Sequence, residues 1–175
     1  YYATDVVDLV VCTHPDDDHI RGLFTVLQDM NVRRLLIHRP GQFGFTGNEH
    51  KSDLVEGLVK TAQENGTIVE SGFAGSKYFG GALVVAGPSE SNYRTFRSEQ
   101  DEWDSLARQA LRKLSEVTKS FAHSIRNLIA DPGETLTDDN GGTSPRNNTS
   151  ILCDLPVDGF RALFTGDAGA PAPTA

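Results

Sequence analysis

His14-Pro15-Asp16-Asp17-Asp18-His19 places two imidazoles and three carboxylates in six consecutive residues. Adjacent carboxylates repel one another, and a helix N-terminus relieves only about 0.3–1 kcal/mol of that per charge. A divalent cation relieves far more. Neutral imidazole nitrogen and carboxylate oxygen are also the ligand types that zinc, manganese or iron accept. In an extended loop, residues two apart point the same way, so His14, Asp16 and Asp18 converge on one side while His19 swings round as a helix begins. Two neighbouring sites for divalent metal become feasible. The competing reading is an acidic helix-capping loop with incidental histidines, Asp18 serving as the cap.

Such a loop must be held by what flanks it. Before it, Val6, Val7, Leu9, Val10 and Val11, interrupted by Asp8, read as a largely buried strand. After it, Ile20, Leu23, Phe24 and Leu27 fall at i, i+3, i+4 and i+7, the stripe of an amphipathic helix. Val32 to Ile37 reads as a second strand, and Arg39 to Gly47 as a loop. Ser52 reads as N-cap of a helix through Leu54, Val55, Leu58 and Val59 that stops near Gly66. Short strands follow at Thr67–Val69 and Ala82–Val85, and Ser89 reads as the cap of a further helix start.

From Trp103 through Leu106, Ala110, Leu114, Val117, Phe121, Ile125 and Leu128 an apolar stripe predicts a long helix over about 100–129. That stripe would pack on the domain or on a partner subunit, with self-association one use of it, or would form a lid. Residues 130–148 form a polar loop, and Ile151–Leu155 and Phe160–Thr165 are strands joined by a turn containing Asp158-Gly159. Strands alternating with helices predict α/β layers.

Composition narrows the function classes. Sixteen basic against twenty-four acidic residues give a net charge of −8, which opposes passive binding of a phosphate backbone. No apolar run is long enough to span a bilayer, so no membrane partner is expected. Cys12 and Cys153 lie in apolar runs without CxxC spacing and read as buried free thiols, which fits a reducing, cytoplasmic location. The ends, Tyr1-Tyr2-Ala3 and the Pro/Ala-rich tail 170–175, read as those of a fragment.

The HxDxDH run resembles the signature of the metallo-β-lactamase superfamily, usually HxHxDH, with Asp16 in place of the second histidine. That variant is similar to the hydrolase domain of the DNA-uptake protein ComEC and its stand-alone relatives. Ala162-Leu163-Phe164-Thr165-Gly166-Asp167 resembles the family's strand ending in TGD, and Asn147 to Ser150 resembles an Asn-x-x-Ser before the preceding strand. The resemblance implies one domain over 1–169, an α/β metallo-β-lactamase-like αββα sandwich truncated at both ends, since the family's opening strands and its final histidine motif have no counterpart here.

It further implies one or two divalent ions, Zn or Mn. His14 and Asp16 would hold the first, Asp18 and His19 the second, with Asp167 bridging. Paired cations activate a shared water, so hydrolysis is the expected chemistry. A carboxylate in place of a histidine makes the site harder and favours a phosphodiester substrate, small-molecule or nucleic acid. Asp18 and Asp167 are then the catalytic carboxylates. Hydrolysis of an ester, lactone, thioester or lactam, and a non-catalytic binding module, are the alternatives. His38, at the end of a strand, and Arg146 and Asn147, before the last hairpin, are candidate substrate-binding residues, with a structural role open for each histidine or asparagine.

Overall fold

A computed structural model of the chain describes residues 4–45, 49–115, 143–157 and 159–169. The β-branched run at the start forms two short strands, β1 (Val6–Val7) and β2 (Val10–Val11), separated at Asp8-Leu9. Helix α1 (Asp17–Asp29) follows, then β3 (Asn31–Val32), β4 (Arg34–Leu36), helix α2 (Glu49–Glu64) and β5 (Ile68–Glu70). β1 pairs with β3 in parallel, and β2, β4 and β5 form a second parallel set in the order β2-β4-β5. Strand β6 (Lys77–Tyr78), β7 (Leu83–Gly87), β8 (Leu152–Val157) and β9 (Phe160–Phe164) form an antiparallel sheet in sequence order. Helix α3 (Glu90–Ser115) leaves that sheet after β7.

Alternation along β4 shows how the layers stack. Leu35, with Ile37 just beyond the strand, joins a core with Ile20 and Leu27 of α1 and Val55, Leu58 and Val59 of α2. Leu36 faces the other way and packs with Val85, Ile151 and Cys153 of the antiparallel sheet. Helices, parallel strands and antiparallel sheet are therefore successive layers of a mixed α/β fold. Burying each of these large side chains contributes about 1.5–3 kcal/mol. Both cysteines are buried and free, as their apolar settings predict.

Several boundaries differ from the sequence expectation. Ser52 lies inside α2, which starts at Glu49, so it is not the cap. The loop 39–47 contains a 3-10 turn at Pro40–Phe43. The helix expected over about 100–129 starts at Glu90, capped by Ser89, whose Oγ accepts from the Asn92 N–H at 3.2 Å. Its early turns hide from a search for apolar periodicity because the inward face is polar, with Tyr93, Arg97 and Gln100 all buried. The apolar residues that do recur point outward: Trp103 is 65% and Leu106 57% exposed. Val117, Phe121, His123, Ile125 and Leu128, the loop through 142 and the tail 170–175 lie outside the described residues. No helix among the described residues is long and apolar enough to cross a membrane.

Candidate metal centre

Two crossings bring the ends of the chain together. β2 runs into the His14 loop, and the Cys12 N–H extends its pairing with β4 by donating to the Leu36 carbonyl at 2.9 Å. The Ile151 N–H, at the entry to β8, donates to the Thr13 carbonyl at 2.9 Å, which ties the antiparallel sheet to the same loop. β9 then returns beside β8 and ends at Thr165-Gly166-Asp167. Gly166 sits at φ 55°, and a Cβ there would lie 3.0 Å from Thr13 and 3.1 Å from the Ser150 hydroxyl. Only glycine lets this turn pass so close while keeping a left-handed conformation.

The result is a cluster in which one ligand atom each from His14, His19 and Asp167 all lie within 4.8 Å of one another. Asp167 Oδ2 is 3.1 Å from His19 Nε2 and 3.5 Å from His14 Nε2, although His19 and Asp167 are 148 positions apart in sequence. The two imidazole rings have centroids 4.3 Å apart. Asp16 Oδ2 lies 3.6 Å from His14 Nε2, and Asp18 Oδ2 lies 3.6 Å from His19 Nε2. The two carboxylates thus flank the cluster, one beside each histidine, and stand outside the mutual group of three. Asp18, with its side chain 73% exposed, forms the rim.

His14 shows how the loop selects one ring nitrogen. Its Nδ1 lies 3.1 Å from Thr13 Oγ1 and 3.3 Å from Ser150 Oγ. Nε2 is buried and has no hydrogen-bond partner, with the Asp16 and Asp167 carboxylates just beyond hydrogen-bond reach. A buried nitrogen without a partner costs about 1–3 kcal/mol, and a cation between it and those carboxylates would remove that cost. The donor set of two imidazoles and at least one carboxylate, with the rest of the ring fixed by hydroxyls, therefore fits a divalent ion. Asp16 holds the N-cap position of α1 without a side-chain cap bond, and Asp17 pairs with Arg21 on the helix surface at 2.8 Å. Asp18 lies within α1 and is not its cap.

The substrate-binding candidates separate. Arg146 Nη1 lies 3.7 Å from Asp16 Oδ1 and Nη2 4.0 Å from Asp104 of α3, so its guanidinium stands beside the cluster. Asn147 closes the turn before β8: its Oδ1 accepts from the Ser144 hydroxyl at 2.9 Å and its N–H donates to that hydroxyl at 3.1 Å. His38 is buried and stacks on Phe73, with Nε2 donating to the Gly72 carbonyl at 2.9 Å. Burial pushes its pKa down to about 4, against the smaller upward pull of the Gly72 and Thr149 backbone. The ring is therefore neutral. Burial also pushes the Cys12 thiol up to about 12, with Asp16 adding to it, and this thiol donates to the His14 carbonyl at 3.4 Å.

Sequence reading gives no separate weight to Ser150, which supplies the contact to His14, or to Arg97 on α3. The signal for Ser150 is its place at the end of the Asn-x-x-Ser run; Arg97 carries no local signal, because only the tertiary packing of α3 brings it inward. No family model and no curated protein matches this chain.

Proposed function

We propose that the protein is a metal-dependent hydrolase of the metallo-β-lactamase type, acting on a phosphodiester. The observation that carries this reading is the convergence of His14, His19 and Asp167 to within 4.8 Å from opposite ends of the chain. Helix, sheet and sheet layers support the αββα arrangement that the same reading entails. His14, His19 and Asp167 would hold one divalent ion, and Asp16 and Asp18, each 3.6 Å from one histidine, would extend the set toward a second. A divalent ion held by these residues would supply Lewis acidity, for a water molecule and for a phosphoryl oxygen.

The chain's own residues do the rest. Thr13 and Ser150 fix the His14 ring, so that its buried Nε2 faces the carboxylates. Arg146 supplies a cation next to Asp16 for the non-bridging oxygens of an anionic substrate. Asp18, on the exposed rim, is the carboxylate best placed to meet solvent protons.

Elemental analysis of the purified protein, together with turnover of bis(4-nitrophenyl) phosphate in added manganese, tests the reading. About one or two equivalents of metal and metal-dependent nitrophenol release are expected, both lost in Asp167→Ala and release reduced in Asp18→Ala. Absence of bound metal refutes the proposal. Metal-dependent turnover of lactones or thioesters, without phosphodiesters, transfers it to the carboxylic substrates.

A further inference from the structure

Arg146 is shared between two carboxylates that come from different elements. Its Nη1 is 3.7 Å from Oδ1 of Asp16, and the other oxygen of Asp16, Oδ2, is the one that lies 3.6 Å from His14 Nε2. Its Nη2 is 4.0 Å from Oδ1 of Asp104, on α3. Unlike the His14 side chain, which is 0% exposed, the charged groups here reach solvent: Asp104 at 22%, Arg146 at 16%, Asp16 at 19% and Asp167 at 25%. An anion arriving at the cluster therefore comes within the field of the guanidinium. Asp104 is itself fixed, because the buried Gln100 donates from Nε2 to the same Oδ1 at 2.9 Å.

Distance decides what Asp104 does. A separation of 4.0 Å is too long for a hydrogen bond, so Asp104 does not set the angle of the guanidinium. Coulombic attraction falls only with the first power of distance and is strong between partly desolvated groups. Asp104 thus acts on Arg146 by charge, taking up part of the positive potential that Arg146 offers to an anion.

Hydrolysis of a phosphodiester changes the charge that this potential acts on. Water adds its oxygen to phosphorus as one ester P–O bond breaks, one hydrogen leaves with the alcohol, and the new P–OH loses the other to solvent. A substrate with one negative charge then yields a monoester that carries two above about pH 6. An undiminished guanidinium beside a divalent ion would hold that product most tightly.

We propose that Asp104 sets the charge preference of the centre: by offsetting Arg146 it weakens the grip on doubly charged phosphomonoesters more than that on singly charged phosphodiesters, and so eases product release. The proposal rests on the phosphodiesterase reading for what occupies the metal centre. Asp104 acts through Arg146 and touches no substrate itself.

The test is equilibrium binding to manganese-loaded protein, by calorimetry at about pH 8, of diethyl phosphate, a monoanion, and ethyl phosphate, a dianion there. Asp104→Asn is expected to tighten the monoanion about threefold and the dianion about tenfold, since the released potential acts twice on a double charge. Ethyl phosphate should correspondingly become a stronger inhibitor of diester turnover. In an Arg146→Met background the same substitution should move neither affinity by more than about twofold. Circular dichroism reports folding, with Asp104→Ser and Arg146→Gln replacing any variant that does not fold. An unchanged ratio of the two affinities in Asp104→Asn overturns the proposal and leaves the phosphodiesterase reading intact. A shift in that ratio that survives Arg146→Met overturns it as well. Failure of both ligands to bind the unsubstituted, metal-loaded protein removes the phosphoryl reading and the role of Asp104 with it.

Discussion

β4 and β9 are both short and rich in large apolar residues, yet they meet solvent in opposite ways. Leu35 and Leu36 of β4 are 0% exposed, whereas Phe160, Leu163 and Phe164 of β9 are 82%, 56% and 55% exposed. β4 lies between α1 and α2 on one face and the antiparallel sheet on the other, while β9 is held through its pairing with β8. The candidate centre draws from both regions. Its histidines follow β2, which pairs with β4, and its third member, Asp167, follows β9. The imidazoles are thus anchored in the best-buried part of the molecule and the carboxylate in the least buried.

If that contrast is right, substitutions should divide into those that unfold the protein and those that only loosen the centre. Leu35→Ala or Leu58→Ala should cost about 2–5 kcal/mol in denaturant-monitored unfolding, because each leaves a cavity in a closed core. Acid should reach the buried side next. His38 is neutral when folded, with a pKa of about 4 against 6.5 ordinarily, so between those values the unfolded chain binds a proton that the folded one excludes. This contribution is intact above pH 6.5 and is lost as pH falls toward 4, by about 3 kcal/mol. Stability measured across that range in His38→Phe should lack this part of the decline; an unchanged slope would break the comparison.

On the exposed side the effects should be smaller and directed at the site. Gly166→Ala forces a side chain into a left-handed position against Thr13 and Ser150, at an expected cost of about 1–2 kcal/mol together with weaker metal binding. Ser150→Ala should leave unfolding nearly unchanged and lower metal affinity about tenfold, since it releases the His14 ring. Leu163→Ala, in the open strand, should shift stability by no more than about 0.5 kcal/mol.

The same division explains what could be read from the residues alone. α1 was legible from Ile20, Leu23, Phe24 and Leu27, because one of its faces is apolar and meets a core. The β8–β9 hairpin was legible from its apolar runs and the glycine between them, which adopts φ 86° at Gly159. The start of α3 was legible in its cap, Ser89, but its continuation through the early turns was not, because Tyr93, Arg97 and Gln100 turn a mostly polar face inward while Trp103 and Leu106 face out. β6 also escaped, a two-residue strand of Lys77 and Tyr78 with no periodicity to detect. Within the centre, the local run announced His14 and His19, and the terminal TGD announced Asp167. The second contact of Arg146, to Asp104, and the Ser150 support of His14 depend on packing between distant segments that no local pattern encodes.

The 148 positions between His19 and Asp167 give any shared ion a further effect. An ion held between them in the folded chain and released on unfolding would make closure of nearly the whole chain a condition of binding, so its binding free energy would add to the stability of the fold. Folding would then follow metal supply by mass action, with about 2.7 kcal/mol gained when free ion reaches a hundred times its dissociation constant. A chelator would therefore lower the melting temperature as well as stop turnover.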